Sequence, residues 1–209
     1  STPARMRESV SLRPMLHRLL ALVIALIAAP AWSTEEIAPA EAVSLLRNGG
    51  YILYFRHAAT DFSQNDAKMT SFEDCATQRS LTDKGRADAR AIGAAIRELG
   101  IPIGKVRASP FCRTIETAEL AFGRAEPAPA VRGGPALPDD PERYAALRRL
   151  LASPPARGTN DVIVSHGNPF HAVAGPPYLA EGEAAVVQPT GTGFRVITRI
   201  KGEEWAIAH

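Results

Sequence analysis

Apolar residues recur along the chain with two spacings, one typical of strands and one typical of helices. Two short apolar runs predict buried strands, and a third short segment also predicts a strand. A fourth segment, of alternating apolar and polar residues, predicts an edge strand, because one of its faces carries charge. These strands are residues 51–55, 105–108, 161–165 and 194–200. In the last strand, Phe194, Val196 and Ile200 are expected on one face. Apolar residues three and four apart predict helices over residues 41–47, 82–99, 109–122 and 141–151.

Helix boundaries are marked by residues that cap or end helices. Thr82 and Ser109 are expected to be N-caps, since their hydroxyl oxygens can accept hydrogen bonds from free N–H groups of the first turn. Gly100 and Gly123 mark the ends of the same two helices. Residues 60–79 are polar and irregular, which predicts a long loop.

The alternation of strands and helices predicts an α/β fold, a three-layer α/β/α sandwich with a mainly parallel central sheet and an antiparallel edge strand. In such sheets the ligand crevice lies at the carboxyl ends of the strands. Three of the predicted strands are followed by chemically capable residues: Arg56-His57, then Ser109 to Arg113, then His166. If these strands are parallel neighbours, two guanidinium groups and two imidazoles converge at one edge of the sheet.

This convergence indicates a site for phosphate. Two adjacent guanidinium groups repel each other unless an anion lies between them, and each arginine can give a phosphate two hydrogen bonds. A histidine beside a bound phosphate is a competent nucleophile, and a second, protonated histidine can stabilise charge in the transition state. The leaving oxygen needs a proton, for which a carboxylic acid is the usual source.

Composition and charge narrow the class of protein. The chain is 45% hydrophobic and 22% charged, which excludes a disordered, collagen-like or multi-span membrane protein. The net charge of +2 comes from residues 1–33; the remainder has 20 basic and 21 acidic residues. Nucleic-acid binding requires a clustered basic face, so nucleic acid is not expected as a partner.

The N-terminal segment has the order of a secretory signal. Arginines precede the uncharged apolar run Leu19–Ala29, and Pro30 and small residues follow. The run is too short for a membrane-spanning helix, which needs about 20 residues. We therefore predict that residues 1–33 are upstream residues and a signal peptide, that residues 34–209 form a single domain, and that the mature protein is periplasmic or secreted, with no stable membrane span. The alternative is that the segment remains as an N-terminal anchor.

The chain has two cysteines, Cys75 and Cys112. In an oxidising compartment, a pair of cysteines without others predicts a disulfide, whereas in the cytosol they would be two thiols. A zinc site is not expected, because His166 and His171 do not supply the spacing of zinc ligands.

Four segments give the sequence a resemblance to the histidine phosphatase superfamily, which has the phosphoglycerate-mutase-like fold. They occur in the family's order, and the resemblance extends over residues 51–209. The segments are Arg56-His57-Ala58, Gln78–Thr82 followed by Gly85, Ser109–Ala118, and Ser165-His166-Gly167. The cysteine positions resemble those of a smaller, exported bacterial branch, which favours a disulfide between them.

The resemblance implies a role for each motif residue. His57 would accept the phosphoryl group as phosphohistidine. The phosphate pocket would be completed by two arginines and a histidine: Arg56, Arg113 and His166. Thr60 is expected to add a hydroxyl contact to the phosphate, and Arg79 either contacts the substrate or braces its loop. No metal and no organic cofactor are implied.

The general acid is not fixed by any motif. In many members of the family a carboxylate lies in the segment leading to the helix after the second arginine motif. This points to Asp139, Asp140 or Glu142, of which Asp140 is preferred. Asp61, close to His57 in sequence, is the alternative.

The sequence also departs from the family pattern. Ala58 replaces the signature glycine, and its methyl group is expected to narrow the approach of the backbone to phosphate. Ala59 and Ser63 differ from mutase-like members, which argues against a bisphosphoglycerate-type mutase. The expected function is an exported phosphatase acting on a small-molecule, sugar or lipid phosphomonoester. The alternatives are a phosphotransferase or mutase using the same site, and a non-catalytic phosphate-binding envelope protein.

Overall fold

The protein's structure, a computed structural model, describes residues 36–134 and 142–208. Its strands are β1 (Ile52–Arg56), β2 (Ile103–Ala108), β3 (Glu126–Pro127), β4 (Asn160–Ser165), β5 (Ala184–Pro189) and β6 (Phe194–Ile200). Its α-helices are α1 (Pro39–Leu46), α2 (Asp83–Glu98), α3 (Cys112–Phe122), α4 (Ala145–Ala152) and α5 (Gly167–Ala174), and short 3-10 helices lie at Cys75–Thr77, Pro129–Val131 and Gly202–Ala206. Within these ranges no helix has the length and apolar character needed to cross a membrane. The predicted signal peptide lies outside the described residues.

The strands form one sheet in the order β3-β2-β4-β1-β5-β6. β4 pairs in parallel with both β1 and β2, and β2 pairs in parallel with β3. β5 is antiparallel to both of its neighbours, β1 and β6. The prediction of a mainly parallel sheet with an antiparallel edge is therefore confirmed, although β5, inside the sheet, is the strand that runs against the others.

Helices cover both faces of the sheet, as the predicted three-layer architecture requires. One core holds residues of α1 and α2 such as Leu46 and Ile96, together with Trp205, which is fully buried. The opposite core holds Leu147 of α4 and Phe170 of α5. Burial of an aliphatic or phenyl side chain of this size contributes roughly 1.5–3 kcal/mol.

The start of α2 is tied to the segment that follows β1. Thr82 caps the helix as predicted, its Oγ1 accepting a hydrogen bond of 2.9 Å from the Gly85 N–H. The helix comes so close to this segment that a Cβ on Gly85 would lie 2.1 Å from the carbonyl oxygen of Ala59. Glycine at position 85 is therefore required for the helix to pack against the strand end.

The prediction that Ser109 caps the next helix is wrong. Helix α3 begins at Cys112, and its N-cap is Phe111. The Ser109 hydroxyl lies instead 2.8 Å from Nε2 of His166. The predicted helix over residues 141–151 is shorter at its start, because α4 begins at Ala145.

Strand β6 contains a bulge that changes the faces of its side chains. The register shifts at Ile197, between Val196 and Thr198. An extra residue in one strand reverses which face the following side chains point to. Phe194 packs in the core of α4 and α5, whereas Ile200 packs in the core of α1 and α2, so the prediction that they share a face is wrong.

Candidate active site

Two histidines lie side by side at the carboxyl edge of the sheet. β1 and β4 are parallel neighbours, with Arg56 paired to Ser165. The backbone N–H of His57 donates to the carbonyl oxygen of Ser165 over 2.9 Å. The ring centroids of His57 and His166 are 5.4 Å apart, with the rings inclined at 72°. The parallel register thus brings together the imidazoles that the sequence places at two strand ends.

His57 is buried, and its protonation state follows from its contacts. Its side chain is 2% exposed, and Nδ1 lies 2.9 Å from the carbonyl oxygen of Ala58. Because a carbonyl only accepts hydrogen bonds, Nδ1 carries the proton and Nε2 keeps a lone pair. Burial, aided by the charges of Arg113 and Arg56, outweighs the opposing effect of the Ala58 contact and lowers the pKa of His57 to about 3. The ring is therefore a neutral imidazole at neutral pH, the form that acts as a nucleophile.

His166 is enclosed by three neighbours. Its Nε2 lies 2.8 Å from the Ser109 hydroxyl oxygen, and its ring meets the Phe111 ring edge to face at 4.9 Å. Gly133 lies against the ring, since a Cβ at that position would be 2.6 Å from Cδ2. Burial, aided by the positive charges of nearby arginines, lowers the pKa of His166 well below its ordinary value.

Arg113 extends from the first turn of α3 into an ion pair. Its side chain is 6% exposed, and its two terminal nitrogens donate to the two carboxylate oxygens of Asp66 over 3.0 and 3.1 Å. The backbone N–H of Arg79 donates to the same carboxylate over 2.8 Å. Burial alone would raise the pKa of Asp66, but these hydrogen bonds hold it below its ordinary value.

Arg79 lies close to the two histidines. Its positive charge contributes to lowering the pKa of both His57 and His166. Its guanidinium carbon is 4.7 Å from the centroid of the Phe62 ring. The Nε atoms of Arg79 and Arg113 are buried and have no hydrogen-bond partner among the described residues. Buried guanidinium N–H groups without partners are costly, and an anion is the partner that suits them best.

A disulfide joins the loop that carries Arg79 to the helix that carries Arg113. As predicted, Cys75 and Cys112 are bonded, and their Cα atoms are 5.7 Å apart. The side-chain oxygen of Gln78 also accepts a hydrogen bond of 2.9 Å from the Cys112 N–H. These links fix the two guanidinium groups relative to each other.

Glu181 is a charged residue of this site that the sequence did not predict. Its Oε1 accepts a hydrogen bond of 2.6 Å from the Thr60 hydroxyl, and lies 3.5 Å from Nη2 of Arg56 and 3.9 Å from Nδ1 of His57. The other terminal nitrogen of Arg56 donates to the carbonyl oxygen of Leu179 over 2.9 Å. The Thr60 hydroxyl, expected to contact phosphate, therefore donates to a carboxylate of the protein.

The sheet topology explains why Glu181 reaches the site. Phe55 of β1 pairs with Ala184 of β5, and the Gly182 N–H donates to the carbonyl oxygen of His57 over 3.0 Å. A residue just before an antiparallel strand thus lies beside the carboxyl end of the strand next to it. The signal that could have identified Glu181 is strand β5 itself, which the sequence pattern did not predict.

Of the four candidates for the general acid, two lie among the residues that the structure describes. Asp139 and Asp140 lie outside the described residues, and Glu142 is exposed. Asp61 accepts hydrogen bonds from the hydroxyl and the N–H of Ser63, which hold the pKa of its carboxyl below the ordinary value. A lowered pKa makes Asp61 a weaker candidate, because a general acid works best when its pKa lies near the working pH.

The methyl group of Ala58 packs away from the two histidines. It lies in a small buried cluster with Leu81 and Ala89, and its N–H donates to the Thr117 hydroxyl over 3.1 Å. The expectation that this methyl narrows the approach to phosphate is therefore not supported by its contacts.

Between residues 36 and 134 and between 142 and 208, no group of three or more His, Cys, Asp or Glu side chains is arranged to hold a metal ion.

Residues 52–133 match the family described as the histidine phosphatase superfamily (branch 1). This stretch, 82 of the chain's 209 residues, is therefore similar to that superfamily. The matched stretch includes Arg56, His57, Arg79 and Arg113, whereas His166 follows it and is brought to the site by β4.

Several solved structures have a fold similar to that of this chain. A mycobacterial glucosyl-3-phosphoglycerate phosphatase in complex with inorganic phosphate has a TM-score of 0.51 at 15% identity, over 74% of this chain and 99% of that one. A phosphoserine phosphatase mutant from Entamoeba histolytica in complex with phosphoserine has a TM-score of 0.51 at 12% identity, over 74% and 98% of the chains. At these identities the likeness shows a shared fold. No curated protein sequence matches this chain.

Proposed function

We propose that the chain is an exported phosphatase that hydrolyses a phosphomonoester through a phosphohistidine on His57. The observation that carries this proposal is a buried, neutral imidazole with a lone pair on Nε2. Its ring centroid is 5.4 Å from that of a second imidazole, and its pKa is lowered by burial and by the charges of three arginines. A phosphate dianion complements this combination of donors and nucleophile. The family match and the phosphatases among the similar structures support the same chemistry.

The first chemical step forms a bond between nitrogen and phosphorus. The lone pair on Nε2 of His57 attacks the phosphorus, and the ester P–O bond breaks as the P–N bond forms. The leaving oxygen takes a proton and departs as an alcohol. Arg79, Arg113 and Arg56 bind the phosphoryl oxygens and stabilise their charge. The His57 ring is left with a positive charge, because Nδ1 keeps its proton on the Ala58 carbonyl.

The second step returns the enzyme to its starting state. A water molecule attacks the phosphorus, and the P–N bond breaks with its electron pair returning to Nε2. The proton from water goes to the base left by the first step, and inorganic phosphate departs. His166 is neutral in the empty site, but a bound dianion favours its protonated form, in which it donates a hydrogen bond to a phosphoryl oxygen.

The proton for the leaving oxygen is proposed to come from Asp140. Asp140→Asn should slow hydrolysis of an alkyl phosphate by roughly 10²- to 10⁴-fold, because an alkoxide needs protonation to leave. Hydrolysis of p-nitrophenyl phosphate should be slowed far less, because nitrophenolate leaves without a proton. Asp139→Asn is the matched control and should change neither rate much. Equal effects of Asp140→Asn on both substrates would rule out this assignment.

The central test is the covalent intermediate. Residues 34–209 should be incubated with a ³²P-labelled aryl phosphate and quenched, which should trap an acid-labile, base-stable label. His57→Gln should abolish the label and lower turnover by about 10³-fold or more, whereas His171→Gln, a change at an exposed histidine, should leave both intact. Full turnover by His57→Gln would refute the proposal.

The two alternatives predicted from the sequence are separated by the products. A mutase or phosphotransferase forms the same phosphohistidine but passes the group to a second hydroxyl instead of to water. A non-catalytic protein binds phosphate and releases no product from any ester. The packing of Ala58 away from the two histidines removes one reason for expecting the non-catalytic alternative.

Export is supported by the N-terminal sequence and is compatible with the disulfide. Expression of the full chain followed by fractionation should place the mature protein in the periplasm or medium, with an N-terminus near Trp32 or Thr34. A cytoplasmic protein that starts at Met6 would contradict this part of the proposal.

A further inference from the structure

Glu181 places a negative charge on the side of the His57 ring away from the attacking nitrogen. Its Oε1 lies 3.9 Å from Nδ1 of His57. The proposed nucleophile is the other ring nitrogen, Nε2. The carboxylate therefore faces the part of the ring that keeps its proton throughout the reaction.

The carboxylate of Glu181 is held in place. Both of its oxygens contact Thr60: Oε1 accepts from the hydroxyl over 2.6 Å, and Oε2 accepts from the backbone N–H over 3.3 Å. Thr60 is 4% exposed and is itself fixed by a bridge to Leu81. The Glu181 side chain is 15% exposed, so water screens its charge only in part.

The charge on the His57 ring changes during the proposed reaction. The ring is neutral before attack and positive once Nε2 is bonded to phosphorus. The proton on Nδ1 is held by the Ala58 carbonyl at 2.9 Å, so the charge cannot be lost from that nitrogen. A fixed carboxylate near the ring stabilises the charged form more than the neutral form.

Glu181 is badly placed to be the general acid. In phosphoryl transfer the attacking and leaving atoms lie roughly in line, on opposite sides of phosphorus. The leaving oxygen is thus on the far side of the phosphoryl group from Nε2, whereas Glu181 approaches Nδ1. Its Oε1 is also paired with Nη2 of Arg56, 3.5 Å away.

We infer that Glu181 is a positioning residue that stabilises the positive charge acquired by the His57 ring when the phosphohistidine forms. This inference rests on the proposed function. It has a kinetic consequence that separates it from a general structural role. Phosphorylation of His57 creates the ring charge and is accelerated by the carboxylate, whereas hydrolysis of the phosphohistidine removes that charge and is not accelerated.

Rapid-quench measurement of the two steps tests this inference. Glu181→Gln keeps the shape of the side chain and an oxygen that accepts from the Thr60 hydroxyl, but removes the charge and the second acceptor, which faces the Thr60 N–H. We expect phosphorylation by an aryl phosphate to slow about 10- to 100-fold, while hydrolysis of the phosphohistidine is unchanged or faster. Binding of inorganic phosphate, measured by calorimetry, should be unchanged or tighter, because Arg56 loses a competing anion.

Glu183→Gln is the matched control. Glu183 lies two residues further along, and its carboxylate accepts a hydrogen bond of 2.7 Å from the Ala180 N–H. Glu183→Gln should change the rate of neither step.

If His57 is phosphorylated as fast in Glu181→Gln as in the wild type, the inference is wrong. It is also wrong if the variant slows both steps equally and weakens phosphate binding to the same extent, since that pattern indicates a structural role. If the wild type forms no phosphohistidine at all, the proposed function itself is wrong.

Discussion

The carboxylate of Asp66 spans both terminal nitrogens of Arg113, with hydrogen bonds of 3.0 and 3.1 Å. Asp66 belongs to the loop between β1 and α2, and Arg113 belongs to the first turn of α3. A phosphate bound at Arg113 therefore shares the guanidinium with a carboxylate of the protein. The loop and the proposed anion site are energetically linked through this one ion pair.

Loss of the Asp66 charge should destabilise the empty protein and increase its response to phosphate. Asp66→Asn leaves the nearly buried Arg113 guanidinium without a counter-ion, which should cost about 1–3 kcal/mol, less than a fully buried pair because Asp66 is partly exposed. Inorganic phosphate can then supply the missing charge. Thermal unfolding with and without phosphate should show a lower melting temperature without the anion, and a larger phosphate-induced increase than in the wild type.

A surface pair is the control for this ion-pair experiment. Lys84 and Asp88 are 2.6 Å apart on α2, and the Lys84 side chain is 79% exposed. Asp88→Asn should leave the stability almost unchanged, with or without phosphate, because solvent screens an exposed pair. An equal phosphate response in Asp66→Asn and the wild type would show that Arg113 does not bind the anion.

The stability of the fold should decrease on mild acidification. The pKa of His57 is about 3 in the folded protein, against an ordinary value of about 6.5 in an unfolded chain. Between these values the unfolded state binds more protons, so the free energy of unfolding is highest above pH 6.5 and decreases as the pH falls towards 3. His57 alone should account for a loss of about 2 kcal/mol between pH 7 and pH 5, and the lowered pKa of His166 acts in the same direction.

Urea unfolding at pH 7 and pH 5 measures this effect. His57→Gln should reduce the difference between the two pH values by about 2 kcal/mol. His171→Gln removes an exposed histidine and should leave the difference unchanged. A wild-type protein equally stable at both pH values would contradict the buried, neutral state of the two histidines.

The position of the His166 ring should depend on Gly133. A Cβ on Gly133 would lie 2.6 Å from Cδ2 of that ring, so Gly133→Ala must displace it. We expect activity on an aryl phosphate to decrease about 10- to 100-fold, since a misplacement near 1 Å can have an effect of this size. Gly193→Ala is the control, because its Cβ would approach no atom closer than 3.7 Å. Full activity in Gly133→Ala would mean that His166 tolerates displacement.

Removal of the disulfide should lower both stability and substrate affinity. The bond joins residues 37 positions apart, for which loop-closure entropy predicts a loss of about 4 kcal/mol, as an upper value. The loop that holds Arg79 would also be released from α3. The double variant Cys75→Ser with Cys112→Ser should therefore unfold at lower denaturant concentration and show a higher KM. An unchanged KM in the folded double variant would show that the loop keeps its position without the bond.

Those parts of the site that depend on parallel strand ends were predictable from the sequence. Arg56, His57 and His166 each follow a short apolar run, and the rule that ligands bind at the carboxyl ends of parallel strands brings them together. The helix after Thr82 was predictable for a similar reason, because its cap and apolar stripe are local features of the chain.

Features that depend on long-range contacts were not predictable. Strand β5 is an apolar run buried on both faces, so it lacks the alternation that marks a half-exposed strand, and Glu181 was missed with it. Ser109 has the residue type of a helix cap, but its hydroxyl contacts His166, which is 57 positions away. The bulge at Ile197 changes the face of Ile200 without any mark in the apolar pattern.

The reversed direction of β5 has a consequence for how such a site can vary. The parallel strands β1 and β4 are followed by the imidazoles, and the segment that leads into β5 supplies an acidic group to the same edge of the sheet. The anion-attracting groups and this countercharge therefore come from separate pieces of backbone. A substitution just before β5 can therefore change the negative charge near the histidines without replacing any residue proposed to bind the phosphate.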